Sequence, residues 1–435
     1  MSKERKNVFV FGLDDFHRAD LEALPRADEF EFHSLLTFDE ATRADLYPVD
    51  EMLEKAEQQL RDFAGSVDAI ITHWDFPSTV MTPILRRRFE QPGASVEAAL
   101  KCEHKYWSRL EQARAAPEVV PDFAAVNPFA DDPMKDVDLD FPFWLKPVTA
   151  HSSNLGFRIE GPEDLEQALP RIRDGIHLFG EPVNYLCGLA ELPEEIQQVD
   201  GYHCIAEAII SRGKQCTLEG FRYQGETEVY GVIDTVRDQR FKSVLSRYQY
   251  PSSIPKKIQQ RMIDITTSVL DQFGYDDAPF NIEYYWDQDD GDDLKLLEVN
   301  SRISQSHCPL FALVDGESHQ QVVIDLALGQ RPRRTSGGNY QVAGKFMMRV
   351  FESGIVVHAP TDGDIRLLQQ QFPDARFESH VKDGTSLRDM PFQDSYSFNV
   401  ADIYLGAEDQ SELLNKYETS KRLMPLEIMR RPEIV

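Results

Sequence analysis

Two apolar runs, FNIEYYWD and LKLLEVN, flank the acidic turn DQDDGDD, and no other stretch restricts the folding of the chain as strongly. Runs of this kind on either side of a polar, glycine-containing turn read as two paired antiparallel strands. Residues i and i+2 of a strand point to one face, so Glu298 and Asn300 share a side, and Glu283 lies on the neighbouring strand. LKLLEVN is otherwise apolar, and a carboxylate buried there needs a compensating partner. Oxygen donors converging in this way suit magnesium that is also held by phosphates. The plainer alternative is a solvated polar face on a two-stranded ribbon.

At 435 residues the chain exceeds one ordinary core, and two to four structural units are expected. Its 74 acidic residues against 46 basic ones give a formal charge of -28, which argues against a broad nucleic-acid or anionic-membrane surface. A halophilic adaptation would produce the same excess. No run of about 18 apolar residues occurs, and together with the acidic charge this leaves neither a membrane nor a nucleic acid expected as partner. Cys102, Cys187, Cys204, Cys216 and Cys308 are scattered and form no CxxC pair, which fits reduced thiols and a cytoplasmic location.

Residues 1–98 read as an α/β unit, with strands at 7–11 and 67–72 and a helical stretch at 51–63. The segment THWDFPSTV follows the second strand, where α/β sheets commonly place ligand-binding loops, although His73, Trp74 and Asp75 also suit a simple turn. Only Gly12 follows the first strand, so the GxGxxG pattern of dinucleotide sites is missing. A helix is expected over 95–115, then a polar loop, the strand FPFWLKPV, the turn HSSNLG, a further strand and a helix opened by Pro162. Strands follow in YHCIAEAII, QCTLEGFRY and VYGVIDTV, with helices at 255–273 and 319–328 on either side of the acidic hairpin. RPRRTSGGN has the composition of a linker, and beyond it the tail alternates strands with two helices.

Lys146 ends an apolar strand, where it must reach water or an anion. Five residues later the small side chains of HSSNLG leave backbone N–H groups and the Ser152 and Ser153 hydroxyls free to surround phosphate oxygens, unless the segment is a plain turn. Lys105 is on an amphipathic helix, where lysines are usually solvated. Glu207, in the apolar IAEAII, has no partner nearby in sequence, and a neutral aromatic ligand offering an amino group would satisfy it.

Taken in order, these pieces resemble the ATP-grasp superfamily over residues 99–329. The resemblance implies a mixed α/β and α+β fold: a preATP-grasp domain at 1–98, an ATP-grasp domain at 99–330 with a small lid subdomain at 144–205, and at 338–435 a cap similar to that of biotin-carboxylase-like members. It implies that Lys105 and Lys146 contact the phosphates of ATP, and that the loop from His151 to Gly156 closes over them. It also implies that Glu207, Ala208, Ile209 and Ile210 receive the adenine. Glu283, Glu298 and Asn300 would hold Mg2+, or Mn2+ in its place, and Arg302 would face charge developing on the transferred group.

Two departures stand out. The acidic residue that commonly binds ribose is replaced, at the nearest candidate, by Gln215. Ser304 and Ser306 occupy the places of the glutamine and glutamate that handle bicarbonate in biotin carboxylases, which argues against biotin carboxylation. The implied activity is an ATP-dependent carboxylate-amine ligase, which activates a carboxylate as an acyl phosphate and couples it to an amine. The alternatives are an ATP-grasp kinase or other carboxylating ligase, and a non-catalytic nucleotide-binding protein. The expected partners are small-molecule carboxylates and amines, and a homodimer is compatible with the reading. The substrate pocket is expected between the loop at Trp74, the region from Arg237 to Arg247, and the cap.

Overall fold

The apolar run near the N-terminus is flanked on both sides. In a computed structural model, which describes residues 5–42, 47–135, 137–150, 155–238, 240–241, 244–335, 337–390, 393 and 396–430, strand β1 (Lys6–Phe11) lies between β2 (Phe30–Leu35) and β3 (Ala69–Ile71) in a parallel sheet. Phe9 and Phe11 pack on the apolar stripe of helix Val49–Asp62, while Val8 and Val10 face a second cluster. That cluster also holds Ile303, Val323 and Ile324, so the N-terminal sheet shares a core with the middle of the chain. β2 is not evident in the sequence, because FEFHSL buries only Phe30, Phe32 and Leu35.

The helix expected over 95–115 is two helices, Val96–Glu103 and Lys105–Ala115. His104 breaks it by adopting an extended backbone, and its Nδ1 accepts from the Trp107 N–H at 3.2 Å as the cap of the second helix. Next comes an antiparallel sheet in the order β4-β7-β5-β6, from β4 (Phe123–Val126), β5 (Phe143–Pro147), β6 (Phe157–Ile159) and β7 (Cys204–Ala208). Phe143, Leu145, Cys204 and Ala206 bury one face with Ala168, Leu169 and Ile172 of helix Pro162–Gly175. Strand alternation therefore puts Trp144, Lys146 and Glu207 on the other face, with Trp144 directly opposite Glu207. The subdomain expected at 144–205 thus reaches back to Phe123 and on to Ala208.

The largest sheet is antiparallel and contains β8 (Lys214–Tyr223), β9 (Glu226–Arg237), β10 (Leu245–Tyr250), β11 (Ala278–Asp287), β12 (Asp293–Asn300), β13 (Val342–Val350), β15 (Arg376–Ser379) and β16 (Phe398–Ala407). Its order is β12-β11-β8-β9-β10-β13-β16-β15, while β14 (Gly354–His358) pairs separately with β17 (Glu427–Arg430). Helix Lys256–Phe273 packs Met262, Val269 and Leu270 against Leu218, Ile282, Tyr284 and Leu296, and it ends at Gly274, whose φ of +65° suits glycine. With that face covered by apolar residues, the opposite face is left to Gln215, Glu283, Glu298 and Asn300. The tail at 338–435 continues this same sheet, since β13 pairs with β10. The segment RPRRTSGGN is anchored rather than a free tether: Arg334 bonds Asp315 at 2.7 Å and Arg331 pairs with Glu226. Among the described residues no helix is long and apolar enough to cross a membrane.

Candidate active site

The acidic hairpin forms as the sequence indicates, and its register fixes the site. Glu283 lies directly opposite Glu298, and Asn281 opposite Asn300, with an irregularity after Glu283 that sets Leu297 out of the pairing. Two like charges facing one another across a ladder destabilise it. Burial, and then Glu298, push the Glu283 carboxyl up to about 7. The Glu298 carboxyl moves the other way: burial would raise it, but Lys105 and Lys146 outweigh that and hold it down. Asn300 adds a carboxamide oxygen on the same face.

Lys105, the first residue of its helix, points inward rather than to solvent. Its Nζ lies 3.0 Å from Glu298 Oε1 and 3.0 Å from the Ala150 carbonyl, and its side chain is 14% exposed. Lys146 Nζ is 2.5 Å from Glu207 Oε2. Glu207, without a partner nearby in sequence, finds a second one through the fold: Arg109 Nε also binds it, at 2.6 Å. Burial pushes the Glu207 carboxyl up, but Arg109 and Lys146 prevail and hold it at about 2. Arg109 donates further to Gln112 and to the carbonyls of Leu296 and Leu297, joining the four-stranded sheet to β12.

β7 ends at Ala208, whose N–H bonds the Asp122 carbonyl at 2.9 Å, and Ile209 and Ile210 continue beyond the strand. Gly213 follows at φ +74°, where a Cβ would sit 2.0 Å from the Trp286 carbonyl, so the connection into β8 requires glycine. Gln215 is drawn into the acidic pair: its Nε2 donates to Glu283 at 2.8 Å, and its oxygen accepts from Arg237 and from Tyr285. A ribose at Gln215 would have to displace these partners. Gly156 precedes β6, while His151, Ser152, Ser153 and Asn154 lie outside the described residues.

Arg302 follows the hairpin and pairs with Asp75, from the N-terminal loop THWDFPSTV. Asp75 of the loop thus meets the arginine next to the acidic pair. Trp74 donates its indole N–H to the Gly12 carbonyl at 3.2 Å. On the tail side, Lys345 of β13 donates to Ser306 at 2.9 Å and pairs with Asp402, and Tyr248 of β10 lies edge-on to His307. Asp75 of the N-terminal loop thus contacts Arg302, while β13 and β10 contact Ser306 and His307, four and five residues further along the chain. Cys308 is buried, as are the other four cysteines, and burial raises its thiol well above the reactive range.

Sequence reasoning passed over Arg109, Asn281 and Glu219. Arg109 had a signal, because it stands four residues after Lys105 on the same helix face. Asn281 and Glu219 had none beyond being polar in apolar strands.

No family model matches the chain, and no curated protein sequence matches it significantly. Solved structures do resemble it. The L-amino acid ligase from Bacillus licheniformis superposes with a TM-score of 0.70 at 18% identity, covering 99% of this chain and all of its own. The phosphoribosylglycinamide synthetase from Anaerococcus prevotii gives 0.63 at 14% identity, covering 98% and 100%. The biotin carboxylase from Campylobacter jejuni, solved as a β-γ-ATP complex, gives 0.61 at 15% identity, covering 98% and 93%. The chain has the ATP-grasp fold across nearly its whole length.

Proposed function

We propose that this protein is an ATP- and magnesium-dependent ligase that activates a carboxylate as an acyl phosphate and joins it to an amine. The observation that carries the reading is the pairing of two lysines with two carboxylates, Lys105 with Glu298 and Lys146 with Glu207. Each lysine is within reach of a phosphate that would draw it from its carboxylate. Glu298 would then be released to a cation, and Glu207 would remain neutralised by Arg109 while facing an adenine amino group.

Glu283, Glu298 and Asn300 fit a divalent ion: two opposed carboxylates and a carboxamide oxygen form a hard donor set that is electrostatically unfavourable without a cation. Bound there, magnesium supplies neutralisation of phosphate charge. The chain's own groups do the rest. Trp144, 37% exposed beside Glu207, offers a flat surface for adenine. Lys105 and Lys146 orient the phosphates, and Arg302, once exchanged from Asp75, stabilises the group in transfer. A carboxylate oxygen attacks the γ-phosphorus and ADP leaves. The amine then attacks the acyl carbon, phosphate departs, and the nitrogen loses its proton.

The likeness to an L-amino acid ligase over the full length of both chains makes amino acids the first substrates to test. The test is mass spectrometry of products from pooled amino acids with ATP and magnesium, together with trapping by hydroxylamine. A hydroxamate with stoichiometric ADP supports the reading. A stable phosphoester points to a kinase instead, and ATP binding without ADP release to a non-catalytic protein.

A further inference from the structure

An asparagine can ligate a cation only through its oxygen, and nothing intrinsic to the side chain decides which end of the amide faces the ion. Here the amide of Asn300 is oriented from behind. Its Nδ2 donates to Asn281 Oδ1 at 3.2 Å, which turns Asn300 Oδ1 away from Asn281. Asn281 is oriented in turn, because its Nδ2 donates to Glu219 Oε1 at 2.6 Å. Glu219 is fully buried on β8, and the same oxygen accepts from the Ser304 N–H at 3.1 Å and lies 2.8 Å from His307 Nδ1. An oxygen already taking these donors has no proton to offer Asn281. The flipped amide, with the Asn281 oxygen against the carboxylate, is excluded by repulsion between two acceptors.

We propose that Asn281, fixed by Glu219, is a positioning residue that presents the Asn300 oxygen to the divalent cation, so that a three-residue relay sets the polarity of one metal ligand. The inference rests on the proposed metal site. Because Glu219 also holds the Ser304 N–H, two residues past Arg302, the same carboxylate ties the metal ligand to the loop that carries the arginine. Partners behind metal ligands commonly change metal affinity or activity 10- to 100-fold when removed.

The experiment reads Mn2+ binding by electron paramagnetic resonance, with the full chain and a non-hydrolysable ATP analogue, alongside thermal melting and metal-free analogue affinity. Asn281→Leu keeps the size of the side chain and removes the relay. It should weaken Mn2+ binding about 10- to 100-fold while metal-free analogue affinity stays within about threefold. Asn281→Ala is read the same way if the leucine variant does not fold. Glu219→Gln retains an acceptor oxygen toward Asn281 and should bind Mn2+ within about threefold of wild type. Folded Asn281 variants with wild-type Mn2+ affinity would overturn the inference, as would a Glu219→Gln variant as weak as Asn281→Leu. A wild-type protein that takes up no Mn2+ with the analogue would instead sink the proposed function.

Discussion

Asp75 and Arg302, 227 positions apart in sequence, form an ion pair at the edge of the acidic hairpin. The pair holds the arginine in place without leaving it unbalanced: burial would lower its pKa, but Asp75 more than restores it. Arg302→Ala should therefore lower kcat about 100- to 1000-fold, the usual cost of removing a group that stabilises transferring charge. KM for ATP should change little if, as proposed, the lysines hold the nucleotide. Steady-state kinetics checks this, and a rise in KM for ATP with unchanged kcat would remove Arg302 from the transfer step.

Arg109 and Lys146 share Glu207 but should differ on substitution. Arg109 is 2% exposed and bonds to two carbonyls of β12 as well as to Glu207, so Arg109→Met leaves those carbonyls without it and the buried carboxylate with Lys146 alone, and should cost about 3–5 kcal/mol. Lys146→Met leaves Arg109 on Glu207 and should cost less in stability while weakening ATP binding. Urea denaturation and nucleotide titration of the two variants separate these outcomes.

The raised Glu283 carboxyl gives a pH signature with a definite sign. A group whose folded pKa of about 7 exceeds its ordinary value of 4.5 binds protons more readily in the folded state, so its contribution to stability is lost as pH rises through that window. Glu283 and Glu298 titrate as a pair. The metal-free protein should therefore lose melting temperature between pH about 4.5 and about 7, and the stabilisation conferred by Mg2+ and ATP should grow over the same range. Scanning fluorimetry of wild type against Glu283→Gln tests this, the variant being expected to lose most of the metal-dependent gain.

Trp144 is one of four tryptophans and is exposed on the face that carries Lys146, whereas Trp107 and Trp286 are buried. Adding ATP should change intrinsic fluorescence, and Trp144→Ala should abolish most of that change while raising KM for ATP about 5- to 150-fold, for a stacking contact worth about 1–3 kcal/mol. A signal that persists in the variant would place the adenine elsewhere.

The hairpin at Glu283 to Asn300 was legible because strand alternation, an acidic turn and i, i+2 spacing are all local properties. Helix Lys256–Phe273 was legible for the same reason, from its apolar spacing and the glycine after it. Strand β2 was not, since FEFHSL offers few inward apolar residues, nor were β10 and β15, which are short and polar and are completed by neighbours distant in sequence. The ion pairs of the cleft were illegible in principle: whether Lys105 faces solvent or Glu298 depends on packing that brings residues 193 positions apart together. The tail was read as a separate unit because its linker has a loose composition, yet hydrogen bonding between β10 and β13 makes it an extension of the central sheet.

With that extension, the two sides of the candidate site belong to different sheets. The acidic hairpin, the arginine loop's support on β8 and the tail strands β13, β15 and β16 all belong to one slab of hydrogen-bonded backbone, whereas Lys146 and Trp144 lie on the separate four-stranded layer. Between them runs the short stretch 209–213, ending at the glycine pressed against Trp286. Arg109 adds a second tie between the two layers, bonding Glu207 of the smaller one and two carbonyls of β12 in the larger.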